Sequence, residues 1–149
     1  MKKFVFRFEK ILQVRIDKEN EVRNLLGKVN KRILEKEEEF KGVHLQYETF
    51  LNQLNSNMKA GVRAGDMRAV AANKSFLIDK MDQLKRELNI LMDERKRIQG
   101  DLIEANKQRK IMEKLKEKEI EKYKAHEAME EAKTVDQIVT YQSTKTKGE

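Results

Sequence analysis

The sequence predicts an all-α fold, a long antiparallel two-helix coiled-coil hairpin whose C-terminal helix overhangs the first. Three observations predict it. The 149 residues include no proline, so no ring interrupts a helix at any position. Six glycines and 6% aromatic residues leave little material for the tight turns and aromatic-rich strands of a sandwich or barrel. Apolar residues recur at alternating steps of four and three over two long stretches, the signature of a coiled-coil seam.

The first helix is expected over about residues 4–60. Its seam reads Phe8, Leu12, Arg15, Glu19, Val22, Leu26, Val29, Ile33, Lys36, Phe40, Val43, Tyr47, Phe50 and Leu54, with eleven of fourteen positions apolar. Arg15, Glu19 and Lys36 are polar residues in an apolar line. Such residues either set register through a partner or are weak points in the seam.

A reversal is expected over about 61–66, where the period is lost and Gly61 and Gly65 fall close together. Gly61 suits the left-handed end of the first helix, and Asp66 suits acceptance of the free amides that open the second. One continuous helix with a weak spot at the glycines is the alternative. Gly27, Gly42 and Gly100 avoid the seam positions and are read as local loosening, each costing about 1 kcal/mol relative to alanine.

The second helix is expected over about 67–140. Its seam runs Leu77, Met81, Leu84, Leu88, Leu91, Arg95, Ile98, Leu102 and Ala105. Beyond Ala105 the strict register lands on Arg109, Met112 and Lys116, while Ile111, Leu115, Ile120 and Tyr123 are the apolar residues nearby. A stutter near residue 108 is the simplest expectation. With a turn near residue 63, Phe8 faces a residue near 118, and later residues have no partner within the chain. Lys114, Lys118 and Lys122 form one row at four-residue spacing and Glu113, Glu117 and Glu121 the next, a pattern that supports a solvated helix. Residues 141–149 are expected as a frayed tail, and 1–149 as a single coiled-coil domain.

Composition narrows the function classes. Zero cysteines remove disulfides, thiolate zinc sites and thiol nucleophiles. His44 and His126 lie far apart, with no ligand-spaced partners, so no metal and no cofactor is expected. No glycine-rich phosphate loop or serine elbow occurs. A helix pair offers no concave pocket in which two carboxylates could be driven to different pKa values, so the acidic runs are solvated faces and no catalytic residue is expected. The longest apolar run is Ala69–Ala72, far short of a membrane span. The net charge is +7, with +4 in residues 1–59 and +3 in the remainder. That spread lacks the one-sign block of a nucleic-acid-binding arm.

What remains is recognition by a helical rod. Phe4 and Phe6 precede the seam, Phe76 and Ile78 flank Leu77, and Val135, Ile138, Val139 and Tyr141 lie on the overhang. These are either partner surface or packing across a wider seam.

The start Phe4-Val5-Phe6-Arg7-Phe8-Glu9-Lys10-Ile11-Leu12 with Arg15, the run Arg109–Lys118, and Glu131-Ala132-Lys133-Thr134-Val135-Asp136 together resemble the FliJ family. These are small coiled-coil stalk proteins of the flagellar type III export apparatus. The resemblance spans nearly the whole chain; Gln137 stands where the family's last motif usually carries a second acidic residue. It implies a non-enzymatic stalk, similar to the rotor subunit of rotary ATPases, in the pore of a hexameric flagellar export ATPase on the cytoplasmic side of the membrane. By matched position, Phe4, Phe6, Phe8, Leu12, Arg109, Lys114, Leu115, Lys118, Lys133 and Asp136 are candidates for the ATPase contact. Phe50 and Phe76 are candidates for the cytoplasmic domain of the export gate. Flagellar export chaperones are further implied partners; neither nucleic acid nor membrane insertion is. The equivalent stalk of a virulence-type injectisome, a basic coiled coil that binds nucleic acid, and a scaffold that dimerises through its overhang are the rival readings.

Overall fold

The computed structural model describes residues 2–148 and contains two helices, α1 (Glu9–Ala60) and α2 (Ala64–Lys147). The chain groups into two compact units. One joins Met1–Asn20 to Glu104–Glu149, and the other is the continuous stretch Glu21–Ile103.

The unit at 21–103 is an antiparallel helical hairpin. Its reversal takes only Gly61, Val62 and Arg63. Gly61 adopts φ +91°, and its amide donates to the Met58 carbonyl at 3.4 Å. A residue with a Cβ pays a steric penalty there, so glycine is the residue that ends α1. Asp66 does not cap α2 as expected. The Arg63 carbonyl accepts from the amides of Asp66 and Met67, both at 3.1 Å, so the helix is already under way and Asp66 sits in its first turn. A carboxylate there still favours the positive end of the helix dipole.

The hairpin seam holds two clusters. Val22, Val29 and Ile33 of α1 pack with Ile98 of α2, flanked by Leu26, Leu88, Leu91 and Leu102. Nearer the reversal, Val43, Leu77 and Leu84 pack with Phe40, Tyr47, Phe50 and Met81. All are expected seam positions. Lys36 keeps its place in the seam because Glu87 lies 2.9 Å from its ammonium across the helix pair. Both helices run through Gly27, Gly42 and Gly100 without interruption.

In the other unit, α1 begins at Glu9 instead of residue 4. Residues 2–6 are extended and end in a turn at Arg7 and Phe8. Alternation explains it. Phe4, Phe6 and Phe8 are buried or half-buried while Lys3, Val5 and Arg7 are exposed, a two-residue period that a helix could not bury on one side. Phe6 is 5% exposed and its carbonyl accepts from the Glu9 amide at 3.2 Å, opening the helix.

Further along α1 of this unit, Arg15 leaves the seam and is exposed, with Ile16 half-buried in its stead, while Glu19 stays in the seam at 4% exposure. Past Ala105 both sets of residues are half-buried: Arg109, Met112, Lys116 and Tyr123 of the strict register, and Leu115 and Ile120 beside them, while Ile111 stays outside at 51% exposure. Polar residues hold these positions because carboxylates of α1 meet them, as described below. Every described residue after Glu127 is exposed, which is the expected overhang. Its end is helical through Lys147, against the expected fraying from 141; Glu149 lies outside the described residues. Nothing stops the helix before Gly148, and the hydroxyls of Thr144 and Thr146 donate to the carbonyls of Thr140 and Gln142 one turn earlier.

Candidate functional site

The paired part of the first unit concentrates the molecule's charge. Residues 1–20 and 104–124 carry 14 basic and 8 acidic side chains, net +6 of the total +7. An excess that looks dispersed along the chain is gathered in space, because the fold lays the start of α1 against the later part of α2.

Polar pairs fix the alignment inside this section. Glu19 Oε2 accepts from Arg109 Nε at 2.6 Å and from Asn106 Nδ2 at 3.3 Å. The same guanidinium reaches Glu113 at 2.7 Å. Hydrogen bonds that Arg109 donates, first to Glu19 and then to Glu113, hold it protonated beyond its ordinary range. About two turns beyond Arg109, Lys116 Nζ lies 2.9 Å from Glu9 and caps the Phe6 ring at 5.9 Å. The Tyr123 hydroxyl donates to the Lys2 carbonyl, and the Tyr123 and Phe4 rings lie 5.5 Å apart. Burial, and secondarily Glu127, hold this phenol above its ordinary pKa of 10.0.

The outer face of α2 is different. Lys107, Lys110, Lys114, Lys118 and Lys122 are all exposed and succeed one another at three- or four-residue steps. At 1.5 Å per residue they make a basic row about 22 Å long. Of the expected contact residues, Lys114 and Lys118 lie on this row. Lys133 and Asp136 are exposed on the overhang, Lys133 within 4.0 Å of Glu130. Phe6 and Leu12, each 5% exposed, are core. They cannot meet a partner without unpacking the helices. Phe4, Phe8 and Leu115 are half-buried, and Arg109 is engaged with Glu19 and Glu113.

Of the two candidates near the reversal, Phe76 is 61% exposed, whereas Phe50 is half-buried against the Val43 cluster. Phe50 floors a shallow groove that continues past Leu54, Val62 and Val70, edged by Gln53, Asn57 and Asn73. On the overhang, Val135, Ile138, Val139 and Tyr141 are each more than half exposed.

Sequence reasoning missed Lys107 and Lys110 as parts of one basic surface with Lys114, Lys118 and Lys122. The lysine spacing was readable; what was missing was the knowledge that α1 covers the opposite face. His44 and His126 each face a glutamate one turn on, at the surface. Among the described residues no group of side chains could hold a metal ion, and no helix is long and apolar enough to cross a membrane.

The family model described as Flagellar FliJ protein matches residues 3–148. A solved structure from Chlamydia trachomatis, CT670, described as a YscO homolog, is similar in fold, with TM-score 0.61, 20% sequence identity and 99% of each chain covered. No curated protein matches the sequence.

Proposed function

The chain belongs to the FliJ family and is a stalk protein of type III protein export, and from that premise we propose that it is the central stalk of a flagellar export ATPase ring. The basic paired section and the overhang of α2 enter the pore of the hexamer. The carrying observation is the concentration of net +6 on that section, with a row of exposed lysines about 22 Å long on its outer face. A ring lumen lined with carboxylates would attract and orient such a surface, with the side chains reaching it still solvated until contact.

The stalk does no chemistry itself. A rod that binds the assembled ring and not its separate subunits stabilises the ring by its differential affinity, and ATP hydrolysis rises because more rings exist. Lys114, Lys118, Lys133 and Asp136 are the contact residues this surface offers, with Phe4, Phe8 and Leu115 supporting them. Phe76 is the exposed apolar residue for the cytoplasmic domain of the export gate, and the groove floored by Phe50 is a neighbouring place for it. Export chaperones are released and captured again by the exposed overhang. The protein acts at the cytoplasmic face of the membrane at the flagellar base. The flagellar system is preferred to an injectisome because the matched family model is a flagellar one.

The test is ATP hydrolysis by the cognate export ATPase as the purified chain is titrated in, with rings counted by electron microscopy. The rate rises with ring population, and Lys114→Glu/Lys118→Glu lowers the effect about ten-fold or more, as expected when like charges replace opposite ones. A folded chain that changes neither quantity removes the stalk reading.

A further inference from the structure

The overhang of α2 carries a heptad line of its own. Ala128, Ala132, Val135, Val139 and Gln142 follow one another at alternating steps of four and three, and Ile138 lies beside the line. All are exposed, Val135 and Val139 each at 57% and Ile138 at 51%. This line is not the seam with α1 carried onward. Continued from Met112, Lys116 and Tyr123, the seam's register lands on His126, Glu130, Lys133 and Gln137, all polar. Val135 stands two residues before Gln137, and two residues turn a helix by about 200°. The line therefore points away from the side on which α1 packs. A helix that only meets water has no use for such a stripe.

The overhang is also polarised along its length. Residues 127–136 hold Glu127, Glu130, Glu131 and Asp136 against Lys133, four acids to one base and net −3. Residues 137–148 hold Lys145 and Lys147 and no acid, net +2.

We propose that the occupant of this line is the same line of a second copy, the two overhangs packing antiparallel as a short intermolecular coiled coil. Apolar residues at heptad spacing on an exposed helix are covered by a helix of the same spacing. Charge sets the direction. Antiparallel overlap lays the acidic half of each overhang on the basic half of the other, with Lys145 and Lys147 beside the stretch from Glu127 to Glu131. Parallel overlap stacks acid on acid, and it sets Glu131, which flanks the line just before Ala132, against Asp136 of the second copy. The two-fold pairing uses up both lines, so association stops at the dimer. The dimer does not rest on the stalk reading. Where both hold, a ring that takes the overhang must displace the second copy.

Sedimentation equilibrium of the full chain over a wide range of concentrations tests this. A monomer–dimer equilibrium is expected, and Val135→Gln/Val139→Gln raises its dissociation constant about ten-fold or more. Glutamine is a better helix former than valine, so the variant keeps the parent's helicity by circular dichroism and the loss is one of contact. Glu131→Lys raises the dissociation constant about five-fold at low salt, since the symmetric dimer loses the contact twice. Glu131→Lys/Lys145→Glu restores it. A chain that stays monomeric at every concentration, or a dimer indifferent to Val135→Gln/Val139→Gln, overturns the proposal. A Glu131→Lys dimer as tight as the parent's or tighter overturns the antiparallel arrangement. An intact dimer that leaves the export ATPase unchanged overturns the stalk reading alone.

Discussion

Glu19 and Arg109 meet across the helix pair with Oε2 and Nε 2.6 Å apart, and Glu19 is almost fully withdrawn from water. The carboxylate occupies a seam position that apolar residues fill elsewhere. Its acceptor capacity is used by Arg109 and Asn106, and Arg109 is held in place by Glu113. A layer of this kind contributes alignment more than stability, because desolvating the charges offsets most of their attraction. A slide of one heptad would leave Glu19 facing Leu102 or Lys116.

Arg109→Met should therefore lower the melting temperature by several degrees, since it removes the cation that neutralises a buried carboxylate. Glu19→Leu/Arg109→Leu should restore or exceed the parent's stability while broadening the distribution of registers. Thermal melts followed by circular dichroism measure the first effect, and a pair of spin labels across the helices measures the second.

The glycines separate by backbone conformation. Nothing lies within 4 Å of a Cβ built at Gly27, Gly42 or Gly100, and none of them has positive φ. Alanine at each should stabilise the chain by about 1 kcal/mol, the difference in helix propensity. Gly61 also has open space around it, but its φ is +91°. Gly61→Ala should destabilise by about 1 kcal/mol, the penalty of a left-handed conformation for a residue with a Cβ. Denaturant midpoints of the four variants check both signs.

Lys36 and Glu87 give a defined pH dependence. The hydrogen bond with Glu87 raises Lys36 above its ordinary 10.5, and the same bond lowers Glu87 below its ordinary 4.5. The raised base stabilises the fold at pH below 10.5, and that contribution is lost as the pH climbs through the folded value. The lowered acid stabilises above pH 4.5, and its contribution is lost as the pH falls through the folded value. The difference in melting temperature between the parent and Lys36→Met should accordingly be greatest near neutral pH and close at both extremes. Both side chains are partly solvated, so the difference should also shrink with added salt.

Much of this fold is legible in the sequence. The seam from Val22 to Leu54 and its partner from Leu77 to Ala105 follow from heptad spacing alone, because a helix has few other ways to bury such a stripe. Gly61 is legible for a similar reason: a left-handed helix end selects one residue type. The extended segment at residues 2–6 is the instructive failure. Phe4, Phe6 and Phe8 carry a two-residue period that is visible in the sequence, but it is short and adjoins a strong heptad pattern, so the helix is extrapolated through it. The polar seam positions are hidden for a different reason. Arg109 and Lys116 look wrong in a seam until Glu19 and Glu9 are placed opposite them, and those pairings span 90 and 107 residues. The basic surface is hidden for the same reason: Lys3 and Lys118 belong to one section only after folding.

Entry of the first unit's paired section into the ATPase ring can be tested directly. The chain has no cysteine, so single cysteines can be placed on an otherwise inert background. Lys118→Cys and Met67→Cys, each carrying a short photocrosslinker, should be mixed with the assembled cognate ring and irradiated. The probe at 118 should link to ring subunits in high yield and the probe at 67 should not. Equal linkage from both positions, or linkage from 67 alone, would mean that the paired section does not enter the ring.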